Sequence, residues 1–84
     1  MRLYYFVGGP TPGHKAEFGR RLAEIGGSPP GWQIYPLADG SGKALHLVAT
    51  EGEHAIEEHL ASFAPAYERG PIVEVISKEA TDVG

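Results

Sequence analysis

The chain has 84 residues, no cysteine and a formal charge of −4. A domain of this length buries only about 60% of its unfolded surface, so its core is small and gains from a partner. The lack of cysteine excludes a disulfide framework, a thiolate metal site and a thiol nucleophile, and the acidic balance without a Lys/Arg stripe beside exposed aromatics argues against nucleic acid.

The first strand is read over residues 2–7 (RLYYFV). Leu3, Tyr5 and Val7 alternate with Tyr4 and Phe6, so both faces of this strand are apolar. The run is too short for a signal peptide or a membrane span, and the expected location is the cytoplasm, with no membrane contact. A loop over Gly8–Gly13 follows, with Thr11 as N-cap and Pro12 as first residue of a helix reaching Ile25. Phe18, Leu22 and Ile25 form its apolar stripe, Gly19 suggests close approach of another element, and Gly26 and Gly27 end it. A hairpin is expected next, with strands Trp32–Leu37 and Ala44–Ala49 joined across Asp39–Gly42. Thr50 and Glu53 have capping-box spacing before a second helix with the stripe Ile56, Leu60 and Phe63, closed by Pro65. The last strand is read over Ile72–Ser77, and residues 79–84 as a frayed tail on a single domain of residues 1–78.

Strand, helix, strand, twice over, predicts an α+β, ferredoxin-like βαββαβ domain: a four-stranded antiparallel sheet with two helices on one face. The alternation is read as placing Leu3, Tyr5, Val7, Trp32, Ile34, Leu45, Leu47, Ala49, Val73 and Val75 under the helices. Tyr4, Phe6, Tyr35, Leu37, His46, Val48, Ile72 and Ile76 then form a second apolar face, the expected contact surface of a homodimer. Charge divides unevenly. Residues 1–43 carry five basic and three acidic side chains and residues 44–84 two basic and eight acidic, so the two helices would attract weakly if they lay side by side.

The loop Gly26-Gly27-Ser28-Pro29-Pro30-Gly31, after a Thr11-Pro12-Gly13-His14 helix start and before a short hairpin, resembles a "GGxPPxG" family of small bacterial proteins in the dimeric α+β barrel superfamily. The resemblance covers nearly the whole chain and implies a barrel-forming homodimer. Its superfamily includes cofactor-independent monooxygenases, haem-degrading enzymes, lactone isomerases and members with no known activity. The chain departs from the family at Ala38 and Asp39, where a Trp-His pair ends the second strand, and at His59 and Phe63, where the second helix carries two Trp residues.

Among motifs that carry chemistry, Gly8 and Gly13 have phosphate-loop spacing. Lys15 falls one position late, Ala16 replaces the hydroxyl residue, and Pro10 and Pro12 remove backbone donors, so a structural turn is the better reading, with His14 and Lys15 leaving room for a weak anion site. His54 and His59 are five apart, about 140° around a helix, which argues against a shared metal ion. The sequence calls for no metal and no cofactor, and assigns no catalytic residue. It does offer a pocket: Tyr5, Trp32, His59 and Tyr67 are expected to line a ligand site between sheet and helices. The leading expectation is a homodimeric binding or scaffold protein with no assignable reaction. Its rivals are a cofactor-independent monooxygenase or isomerase acting on a small apolar or aromatic molecule, and a regulatory domain fused or docked to a larger enzyme.

Overall fold

In the computed structural model, which describes residues 1–76, the chain runs β1 (Arg2–Pro10), α1 (Lys15–Glu24), β2 (Trp32–Pro36), β3 (Ala44–Thr50), α2 (Glu53–Ala61), β4 (Tyr67–Arg69) and β5 (Val73–Glu74). The expected tail over 79–84 and the end of the last expected strand, Ser77, lie outside the described residues. The sheet is antiparallel in the order β2-β3-β1-β4, and β5 pairs with β1 on the same edge as β4. The described residues thus form an α+β fold with two helices and one antiparallel sheet.

β1 outlasts its expected end. Gly8, Gly9 and Pro10 continue the strand and pair with Arg69, Glu68 and Tyr67. Tyr4 and Tyr5 pair further along the same edge with Glu74 and Val73. The edge partner that was expected as one strand over Ile72–Ser77 is therefore two short pieces, separated by Gly70, Pro71 and Ile72.

The face assignment of β1 and β3 is inverted relative to the sequence reading. Tyr4, Phe6, His46 and Val48 are buried against Ile56 and Leu60 of α2, so they form the core beneath the helices and not a dimer surface. The register explains why. Trp32 stands opposite Val48 and Ile34 opposite His46, and directly paired antiparallel residues share a face. Trp32 and Ile34 were correctly read as helix-facing, so Val48, His46 and their β1 partners Tyr4 and Phe6 go with them. Leu3, Tyr5, Val7, Leu45, Leu47, Ala49 and Val73 consequently lie on the opposite, open face, with Tyr35 beside them. Leu3, Tyr5, Tyr35 and Val73 are 37–49% exposed there. Of the residues expected on the second face, Ile72 instead packs against the core, and Leu37 and Ile76 are exposed.

The helix ends also differ from their expected form. α1 begins at Lys15 with His14 as its cap, because Gly13 adopts φ +85°, outside helical geometry. Gly19 has nothing within 4 Å of where a Cβ would stand, so no element approaches it closely. α2 is capped at Gly52 without a side-chain hydrogen bond, while Thr50 is taken up by β3 opposite Arg2; the capping box does not form. The two helices share no ion pair among the described residues. Glu17 instead bridges to Arg20 and Arg21 within α1, and Glu57 of α2 pairs with Arg69.

Candidate functional site

A cleft of about 150 Å³ opens between the sheet and the two helices. Its floor is β1 and β3, where Gly8 and Ala44 leave the sheet almost bare of side chains and His46 stands up from the strand. Trp32 and Ile34 of β2 wall one side, Tyr67 at the start of β4 the other, and Phe18, Leu22, His59, Leu60 and Phe63 of the helices form the roof. Three of the four expected ligand residues, Trp32, His59 and Tyr67, are therefore brought together. The fourth is not: Tyr5 pairs with Leu47 and Val73 on the open face, on the far side of the sheet.

His46, which the sequence reading placed on the dimer face, belongs to this cleft instead. Its ring stacks on Phe6 with centroids 4.5 Å apart and planes within 5° of parallel. The Nδ1 atom lies 3.0 Å from the carbonyl oxygen of Ala44, and Nε2 lies 3.3 Å from the Tyr67 hydroxyl. A carbonyl oxygen only accepts, so Nδ1 carries the proton and Nε2 of the neutral ring accepts from Tyr67. Burial lowers the imidazole pKa below its ordinary value, opposed in part by the backbone carbonyls of Ala44 and Phe6. Burial also pushes the Tyr67 phenol well up. Both effects keep the pair neutral, with the proton on Tyr67. The signal for this pair lay in the hairpin register, since Trp32 under the helices obliges His46 to lie there too.

Glycine makes room for the pair. A Cβ on Gly8 would stand 2.7 Å from the Tyr67 hydroxyl oxygen and 2.9 Å from the Glu68 carbonyl, so any larger residue displaces β4 or its tyrosine. Tyr67 is also gripped from above, its ring 5.1 Å from Phe18, which in turn meets Phe63 at 5.0 Å. His59 meets Trp32 edge-on at 4.8 Å and Phe63 at 5.2 Å, and burial lowers its pKa as well. The turn before α1 ties this corner to α2: Thr11 Oγ1 donates to the Pro65 carbonyl and takes a hydrogen bond from His14 Nδ1.

The turn over Pro10–Lys15 lines a second, wider groove with Lys15 and Lys43, but Lys43 is already paired with Glu68. Among the described residues no three His, Asp or Glu side chains gather to hold a metal ion, and no helix is long and apolar enough to cross a membrane. His54 is exposed and stands apart from the cleft that His59 lines. No protein-family model, no curated protein and no solved structure matches the chain.

Proposed function

We propose that this chain is a small homodimeric binding protein that holds a small apolar or aromatic molecule in the helix-side cleft. The observation that carries the reading is the cleft itself: mostly apolar walls with a few polar groups, the His46–Tyr67 pair on the inner side and His59 and Ser28 elsewhere in the lining, the usual composition of a small-molecule site. A volume of about 150 Å³ is enough for a benzene-sized guest, though small beside the roughly 300 Å³ of ordinary ligand pockets. That size favours binding over turnover of a large substrate.

The strand order β2-β3-β1-β4 with both helices on one face supports a ferredoxin-like domain, and with it the dimeric α+β barrel arrangement that the GGxPPxG loop resembles. The contact surface moves to the open face, around Leu3, Tyr5, Tyr35 and Val73, where large apolar side chains stand exposed beside the half-buried Leu47 and no layer among the described residues covers the sheet.

An isomerase or cofactor-independent monooxygenase is the second reading, favoured by the Tyr67–His46 hydrogen bond at the cleft wall. It stands behind binding because the pair is held neutral and offers neither a phenolate nor an imidazolium at pH 7. Native mass spectrometry of protein gently purified from its own host tests the reading. A dimer that retains a small molecule is expected; a bare monomer would sink both parts.

A further inference from the structure

Resting on the cleft being a ligand site, we infer that its inner polar corner accepts a hydrogen bond and does not give one, so that the preferred guest is a small neutral ring bearing a hydrogen-bond donor, of the phenol or aryl-amine class. The argument runs through a fixed chain of protons. The Ala44 carbonyl can only accept, which places the His46 proton on Nδ1. Nε2 is then an acceptor and claims the only proton of the Tyr67 hydroxyl. What Tyr67 has left is lone-pair capacity on an oxygen that lies over Gly8, and both residues line the cleft. A guest carrying only acceptors would set lone pair against lone pair, and a purely apolar guest would cover a polar oxygen without satisfying it. A carboxylate fits this corner worst, since it has no proton to give and would set its charge against the lone pairs of the Tyr67 oxygen.

The direction of the chain is anchored by backbone. Ala44 is held in β3 opposite Gly8 of β1 and Pro36 of β2, so its carbonyl is not free to rotate. A half-turn of the His46 ring would keep its stack on Phe6 but carry Nδ1 away from the Ala44 carbonyl and Nε2 away from the Tyr67 hydroxyl, so the two hydrogen bonds hold the orientation. The polarity of the corner is thus a property of the sheet.

Two measurements on the full chain test this, with phenol and fluorobenzene as probes of nearly equal shape. The first is the His46 tautomer, read from long-range proton–nitrogen correlations of the imidazole ring. A protonated Nδ1 and a bare Nε2 are expected, and the opposite tautomer overturns the inference. The second is the ratio of phenol to fluorobenzene affinity, titrated by protein-observed NMR in the wild type and in Tyr67→Phe. That ratio should fall about tenfold in the variant, the worth of one buried hydrogen bond, because His46 Nε2 lies 3.3 Å behind the lost oxygen. An unchanged ratio overturns the inference while leaving the binding reading intact. If neither probe moves the signals of Trp32 and His59, the binding reading falls, and this one with it. Should Tyr67→Phe fail to fold, the wild-type tautomer alone decides.

Discussion

Phe6 is the residue on which the interior turns. It is almost fully buried, it carries the His46 stack, and its edge meets Trp32 at 5.8 Å. Phe6→Ala should cost about 3–5 kcal/mol, much of the total stability of so small a domain, and chemical denaturation will show whether folded protein survives. Gly8→Ala tests the opposite error, an added atom. With a backbone carbonyl 2.9 Å from the new methyl group, relief requires β4 to move, and a loss of about 1–3 kcal/mol is expected by thermal melting. His46 and His59 set the acid limit. Both have pKa values lowered in the fold from 6.5, so the unfolded chain binds more protons once the pH falls below that value. Stability should be fully present above about pH 6.5 and decline on acidification; a melting temperature that holds or rises between pH 6.5 and 5 would contradict the buried neutral imidazoles.

At the scale of elements, β1 and α1 are opposites. β1 pairs with three other strands, and its Tyr4 and Phe6 are in the core. α1 buries none of its residues, and it is fastened by Phe18 against Phe63 and Tyr67 and by Arg21 donating to the Ser62 carbonyl. Amide hydrogen exchange should therefore be faster throughout α1 than in β1 and β3, with opening of the helix well below the global unfolding free energy. Equal protection in both would show that α1 is part of the core. The existence and order of most elements were legible from period and punctuation: the two helical stripes, the Gly26-Gly27 stop, and the hairpin over Asp39–Gly42, where Ser41 N–H donates to the Asp39 side chain. The faces were not. A run such as Leu3–Val7 is apolar on both sides, so alternation alone offers two equal answers, and only the pairing of Trp32 with Val48 breaks the tie. The same error put His46 on the dimer face and Tyr5 in the cleft, while Trp32, read from strand alternation, and His59, read from the edge of its helix stripe, came together with Tyr67.

For the molecule as a whole, the helices cover one sheet face, and among the described residues nothing is layered on the other. Leu3, Tyr5, Leu47 and Val73 lie on that second face, and a second copy presenting the same face would bury them in a two-fold contact. Tyr5→Asp should then give folded monomer by sedimentation velocity, because a carboxylate would enter the interface unpaired. Phe6→Asp, by contrast, should prevent folding, since Phe6 is beneath α2. A Tyr5→Asp protein that stayed dimeric would move the contact elsewhere.

The shallow seating of α1 has a consequence for how such a protein could diversify. The cleft is made of two parts with unequal freedom to vary: a floor whose side chains are committed to holding the sheet together, and a roof contributed in part by Phe18 and Leu22 of a helix with no buried residue. Substitutions at Leu22 alter the shape offered to a guest at little expense to the rest of the chain, whereas Phe18 also braces Phe63 and Tyr67. A library confined to Leu22 would sample new binding preferences over an unchanged scaffold, with the proton order at Ala44, His46 and Tyr67 inherited by every member.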